Sequence, residues 1–251
     1  MARRPRGSRS LRKGRLPPVR ATINSHTYRS TVASVGGQFM LPISAENREA
    51  AGDEVEVDNQ RSVFAMMRQV LFLHGGGEGA HEEDGRLAAN LQDGLGAAYD
   101  VRCPRMPDQD RPEYETWRDR ISQELAGLDG EVILVGHSLG GSILLKYLSE
   151  GELEEPVAGL FLIASPYWGA EDWEVSEYEL REDFASKLPG ELPMFFYHSR
   201  DDEVVPFVHL ALYREKLPQA RFHEVDGCGH QFDDDLSEVA RDIDRLLLGC
   251  P

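Results

Sequence analysis

The pattern of apolar and polar positions changes once along the chain. Between residues 19 and 57 the two kinds alternate in short runs. Val19–Asn24 and His26–Thr31 flank a turn at Asn24-Ser25, Gln38–Leu41 ends at Pro42, and Gly52–Val57 gives a last run. Period-two alternation broken by turn residues predicts a small β unit. Ser44 is a suitable cap for one or two helical turns over 44–51. From residue 69 the apolar runs become continuous: Val70-Leu71-Phe72-Leu73, then Tyr99–Cys103, Val132–Val135, Val157–Ala164, Met194–Tyr197 and Arg221–Val225. Such runs mark strands buried on both faces. Helical spacing lies between them. Tyr114, Trp117, Ile121, Leu125 and Leu128 fall three or four apart, and 139–149 and 236–248 are also helical by pattern. Strand alternating with helix predicts an α/β class: a doubly wound, mainly parallel sheet with its ligand site at the carboxyl ends of the strands. The expected layout is a basic disordered tail over 1–17, a small partial β domain over 18–60, a linker over 61–68 and the α/β domain over 69–251.

Charge sharpens this division. The net charge is −17, yet residues 1–20 carry eight Lys/Arg and no acid. Residues 21–251 therefore hold 19 basic against 44 acidic side chains, a net −25. A body so acidic repels nucleic acid and anionic membranes. The basic head is read as a solvated tail; no apolar segment follows its arginines as in a secretory signal. No apolar run approaches the length that spans a bilayer. Three cysteines, Cys103, Cys228 and Cys250, match neither a disulfide framework nor a zinc site, so a reducing cytoplasm is the expected compartment.

The chemistry concentrates in four segments. Gly136-His137-Ser138-Leu139-Gly140 follows an apolar strand and precedes the helical run Ile143–Leu148. Strand, G-x-S-x-G, helix is the context of a nucleophile elbow, with Ser138 as nucleophile. Bulk at Gly136 or Gly140 would strike the neighbouring strand and helix, while the helix start aims N–H groups at a developing oxyanion. His137 is read as a packing or hydrogen-bonding residue. His74-Gly75-Gly76-Gly77 ends the first strand of the α/β domain and matches an oxyanion loop, so the N–H groups of Gly76 and Leu139 are expected to form the oxyanion hole. His74 is expected to brace that loop. Ser199-Arg200-Asp201-Asp202-Glu203-Val204-Val205-Pro206 offers the acid that orients a base; Asp202 is preferred and Asp201 is the competitor. Finally, His230 lies after the last strand and before the terminal helix. The chain order Ser138, Asp202, His230 is the one expected of this arrangement. His198, His209 and His223 are read as structural or surface residues, and Cys228 as a small loop residue.

On these residues the stretch from about Gln69 to Leu248 resembles the compact α/β hydrolases related to retinoblastoma-binding protein 9. The segments Gly75–His81, Pro104-Arg105-Met106-Pro107 and Phe161–Pro166 extend the similarity beyond the triad. The resemblance implies an α/β-hydrolase fold lacking its first strands, and a small hydrolase. Upstream, Arg20–Asn24, Gly36–Pro42 and Ala51–Val57 are similar to a small β-barrel domain of the bacteriocin-protection type. No nucleophile, metal cluster or phosphate loop is visible there, so it is read as a structural or partner-binding appendage.

The expected function is that of a serine hydrolase, carboxylesterase-like, cleaving a small uncharged ester, thioester or amide through an acyl-enzyme on Ser138. No P-loop, dinucleotide fingerprint or metal motif appears, so no cofactor is expected. A short flap over 165–190 carries Tyr167, Trp168 and Trp173 among acids. Tyr167 and Trp168 are candidate substrate-binding residues; an amphipathic surface segment is the competing reading. Two other functions remain open: a non-catalytic partner-binding module on a hydrolase scaffold, and a serine peptidase of short peptides.

Overall fold

The computed structural model describes residues 18–23, 26–31, 33–35, 38–40, 67–128, 130–151, 156–170, 173 and 175–248, the first four segments as backbone only. The expected tail, the helical turns over 44–51, the strand over 52–57 and Cys250 lie outside the described residues. The chain divides into two units, Met1–Val63 and Phe64–Pro251.

In the first unit, β1 (Pro18–Ile23) pairs antiparallel with β2 (His26–Thr31), Ile23 opposite His26. Strand β3 (Ala33–Val35) pairs antiparallel with β4 (Gln38–Met40). The expected runs Val19–Asn24, His26–Thr31 and Gln38–Leu41 thus overlap β1, β2 and β4, while β3 is not among the expected strands.

The second unit is built on six parallel strands: β5 (Arg68–Leu73), β6 (Tyr99–Arg102), β7 (Val132–His137), β8 (Val157–Ile163), β9 (Met194–Ser199) and β10 (Arg221–Val225). Their spatial order is β10-β9-β8-β7-β5-β6. The helices are α1 (Ala80–Leu95), α2 (Tyr114–Ala126), α3 (Leu139–Glu150), the single turn α4 (Phe184–Lys187), α5 (Val208–Lys216) and α6 (Ser237–Leu248).

The continuous apolar strands have a direct cause: side chains alternate between two cores. Leu71 and Leu73 of β5 join Leu134, Leu160 and Phe196 in a cluster with Trp117 of α2, Leu144 of α3 and Tyr213 of α5. Val70 and Phe72 join Ile133, Val135, Phe161 and Phe195 in the other, with Leu87 and Leu91 of α1 and Val239 and Ile243 of α6. Both faces of the inner strands β5, β7, β8 and β9 must therefore be apolar. Full burial of each such side chain contributes about 1.5–3 kcal/mol.

Parallel strands end on one edge. The loops after β5, β7, β9 and β10 consequently gather at that edge, carrying residues 74–77, Ser138, 200–206 and 226–231. The segment after β8 folds down over α2 and α3. Lys146 of α3 donates to the Glu179 carbonyl at 2.7 Å, the Tyr114 amide donates to Glu177 at 3.0 Å, and the Tyr178 hydroxyl donates to the Pro112 carbonyl.

Candidate active site

Ser138 leaves β7 with φ 51° and ψ −125°, a conformation that L side chains rarely adopt. Its amide is satisfied by the Ile163 carbonyl of β8 at 2.8 Å, so the turn is held from the adjacent strand. The glycines beside it are required by contact. A Cβ on Gly136 would lie 2.5 Å from the Gly141 Cα, and one on Gly140 would lie 2.4 Å from the His74 carbonyl oxygen. The first bond back to the elbow is donated by Gly141, to the Ser138 carbonyl at 3.1 Å. The Leu139 amide thus belongs to the open first turn of α3, at the positive end of its dipole.

The loop after β5 lies on this turn. A Cβ on Gly75 would sit 3.2 Å from the Ser138 Cβ, and one on Gly76 would strike the Leu139 Cδ2 at 2.7 Å. The Gly75 amide donates to Asp84 at 2.7 Å and the Gly77 amide donates to the Gln109 carbonyl at 2.7 Å. Those two bonds leave the Gly76 amide available between them. His74 braces the loop as expected of it. Its Nε2 accepts the Met106 amide at 2.9 Å and its Nδ1 donates to the Gly75 carbonyl at 2.6 Å, which fixes one neutral tautomer. Burial lowers its pKa, in keeping with that form.

His230 meets Asp202. Its Nδ1 lies 2.9 Å from Asp202 Oδ2 and 3.0 Å from Oδ1. Asp202 also accepts the Val204 and Val205 amides at 2.9 and 2.8 Å, and His198 Nε2 lies 3.3 Å from its Oδ2. Burial alone would raise this carboxyl. The hydrogen bonds from His198, His230 and Val205 outweigh it and hold Asp202 below the ordinary carboxylate range. Asp201 instead accepts the Ser199 hydroxyl and the Gly227 and Gly229 amides, and so organises the loop that carries His230.

Ser138, His230, Gly75 and Gly76 line one cleft of about 300 Å³. Its apolar side chains are Ala80 and Val204, and Glu83 and Glu203 stand in its wall. Tyr167 and Trp168 are placed elsewhere. Tyr167 packs on Tyr213, and its amide donates to His209 at 2.8 Å; Trp168 packs between Trp173 and Tyr178. Both rest against the core under the flap rather than on the walls of this cleft.

The sequence reading did not single out Asp84 or assign His198 to the site. Asp84 had a legible signal. On α1 it occupies the stripe of Ala80, Leu87, Ala88, Leu91 and Leu95, where an acid is buried with no sequence neighbour to explain it. His198 is the penultimate residue of a buried strand, where its partners depend on tertiary contacts alone.

Comparisons with known proteins agree with this architecture. Residues 82–236, which include Ser138, Asp202 and His230, match the serine hydrolase family. Residues 6–58 match a domain of unknown function, DUF1905, so that match begins inside the basic head. The hydrolase YdeN of Bacillus subtilis (strain 168) is 25% identical over 174 residues, 68% of this chain and 89% of YdeN. The crystal structure of the B. subtilis ydeN product superposes with a TM-score of 0.55 at 22% identity, over 72% of this chain and 100% of that one. The serine hydrolase CarC, involved in carbazole degradation, gives a TM-score of 0.57 at 17% identity over 92% of this chain and 99% of its own. Esterase PE8 gives 0.54 at 20% identity over 71% and 92%. Its mostly parallel six-stranded sheet and the match over more than half its length assign this chain to the serine hydrolase family, on the α/β-hydrolase fold, behind an N-terminal DUF1905 domain.

Proposed function

We propose that this enzyme hydrolyses small uncharged acyl esters, thioesters or amides through an acyl-enzyme on Ser138. The observation that carries this reading is the strained Ser138 turn opening into the same cleft as a His230 ring bonded to Asp202. A carboxylate facing Nδ1 keeps the proton there and leaves the Nε2 lone pair as the basic site of the ring. His230 then takes the Ser138 proton as the hydroxyl attacks the acyl carbonyl. The Gly76 and Leu139 amides receive the oxyanion, a role in which one donor is worth about 3 kcal/mol. Collapse expels the alcohol, thiol or amine, which takes the proton back from His230. Water, deprotonated by the same ring, releases the acid and restores the serine.

The cleft supports a short acyl group, because Ala80 and Val204 are its apolar side chains. Glu83 and Glu203 disfavour an anionic substrate. The chemistry needs no cofactor. No helix among the described residues is long and apolar enough to cross a membrane. The free thiols of Cys103 and Cys228 suit a reducing cytoplasm, the compartment we assign.

The deciding experiment is labelling with a fluorophosphonate probe, followed by assay on short p-nitrophenyl esters. Wild type labels and turns over, while Ser138→Ala and His230→Ala do not. A folded wild type that neither labels nor hydrolyses any short acyl ester, thioester or amide overturns the reading.

A further inference from the structure

The cleft that holds Ser138 and His230 is also lined by a second carboxylate–histidine pair, Asp84 and His137, which does no chemistry in the hydrolysis just described. The side chains of Asp84 and His137 are 2% and 1% exposed. His137 Nδ1 is 2.8 Å from Asp84 Oδ2, and its Nε2 is 3.0 Å from the backbone oxygen of His230. A carbonyl oxygen only accepts, and an ionised carboxylate only accepts. With Asp84 ionised, both ring nitrogens face acceptors and each carries a proton, which makes His137 an imidazolium. Asp84 is the matching anion. Its Oδ2 also receives the Gly75 amide at 2.7 Å. Burial opposes both charges, yet pairing outweighs it: Asp84 is held below, and His137 above, their ordinary values.

The pair joins four segments that approach each other only in three dimensions. Asp84 comes from α1 and His137 from the end of β7, one residue before the nucleophile. Gly75 belongs to the oxyanion loop; His230 belongs to the base loop. The His137 and His230 rings are 4.8 Å apart, centroid to centroid. A buried ion pair is a poor way to gain stability, since apolar residues of equal volume often do as well. Apolar residues, however, cannot bond the backbone of two separate loops.

We propose that Asp84 and His137 act together as positioning residues. One buried ion pair holds the oxyanion loop through the Gly75 amide and the base loop through the His230 carbonyl, both in register with Ser138. This rests on the reading of Ser138 as nucleophile. Committing the Gly75 amide to Asp84 also leaves the adjacent Gly76 amide for the substrate. A displacement of about 1 Å in such a constellation costs up to about a hundredfold in rate.

The test compares wild type, Asp84→Asn, His137→Gln, the double variant and Ser138→Ala. Each is assayed on p-nitrophenyl acetate and for its rate of fluorophosphonate labelling, with folding checked by circular dichroism. In folded Asp84→Asn and His137→Gln, kcat and the labelling rate fall by about tenfold or more while KM moves less than about threefold. The double variant is no slower than the slower single one, because the pair acts as a unit. Folded single variants that keep kcat within about twofold of wild type overturn the proposal, as does a double variant whose loss is the product of the two. Should the variants fail to fold, ¹⁵N NMR of wild type decides: two ring N–H groups on His137 at neutral pH are expected, and a neutral ring overturns the pair. Failure of the hydrolase reading is distinct, since wild type would then match Ser138→Ala in lacking all turnover and labelling.

Discussion

His230 Nδ1 sits nearly equidistant from the two oxygens of Asp202, 2.9 and 3.0 Å away, while Asp201, one residue earlier, bonds the Ser199 hydroxyl and two amides of the loop that carries the histidine. Adjacent carboxylates thus have separate tasks, one on the ring and one on the loop that carries it. Asp202→Asn is expected to keep the fold and lower kcat by about 10⁴-fold, because an amide no longer enforces the Nδ1–H tautomer. Asp201→Asn retains an acceptor for the Gly227 and Gly229 amides and is expected to cost less than about tenfold. Steady-state assay on a short acyl ester separates them, and the reverse ranking would assign the orienting role to Asp201.

Glycine at the elbow and glycine in the loop proposed to hold the oxyanion are needed for different reasons. A methyl at Gly140 meets backbone: the His74 and Leu73 carbonyl oxygens at 2.4 and 2.5 Å. Neither strand nor helix can give way, so Gly140→Ala is expected to lower stability by about 3 kcal/mol or to prevent folding. A methyl at Gly76 meets the end of the Leu139 side chain at 2.7 Å, which can turn aside. Gly76→Ala is therefore expected to fold and to lose activity, about tenfold in kcat, as the amide is pushed off line. Thermal melts beside ester assays on both variants check the contrast; equal melting losses would refute it.

The sequence made the fold legible where one cause acts alone. Apolar runs such as Val70–Leu73 must be strands in a two-sided sheet; observed β5, β7 and β9 contain the expected runs, and β8 stops one residue short of Ala164. Ser138, with its glycines, was legible because the elbow imposes a local steric rule. Helices α1 and α5 were less clear: α1 carries Asp84 on its buried stripe, and α5 is a nine-residue helix. The flap aromatics were ambiguous in the sequence for a related reason. Tyr167 and Trp168 satisfy any apolar surface, and here the nearest is the core beneath the flap. What sequence could not convey was pairing across the strand edge, such as Asp84 with His137 or His198 with Asp202, because those partners share no spacing.

Stability should carry the signature of these pairs on both sides of neutrality. Asp84 and Asp202 have folded pKa values below the ordinary carboxylate value. Their contribution is complete above about pH 4 and is lost as pH falls through the lower folded values. His137 is raised, so its contribution is complete below about pH 6.5 and is lost as pH rises through the folded value. His74 and His209, both lowered chiefly by burial, act oppositely and cost stability as pH falls below about 6.5. The net curve mixes these effects, but the difference between wild type and His137→Gln isolates one. Urea unfolding from pH 5 to 9 should show that difference largest at the acid end and shrinking with rising pH. A difference that grows with pH would contradict the charged pair.

Immediately after His230 the backbone takes a course that costs free energy. Phe232, Asp233 and Asp234 all have positive φ, at 53°, 51° and 56°. Three consecutive non-glycine residues in the left-handed region are each disfavoured by about 1 kcal/mol or more. Their surroundings hold them there. Phe232 is buried in the core, and the Asp233 and Asp235 amides donate to the Cys228 and Phe232 carbonyls at 3.1 and 2.9 Å. The turn lets the chain drop Phe232 into the core while His230, two residues earlier, stays in the cleft. Asp233 is exposed, so glycine there removes the strain without removing a core contact. Asp233→Gly is expected to raise the melting temperature by about 2–4 °C, as for a gain of about 1 kcal/mol in a chain of this size. Its kcat should remain within about twofold of wild type. Phe232→Gly gains the same backbone freedom but loses a buried aromatic ring, a loss of about 3–5 kcal/mol that dominates, so its melting temperature should fall. A lower melting temperature for Asp233→Gly than for wild type would mean that the aspartate stabilises the turn by more than the strain it bears.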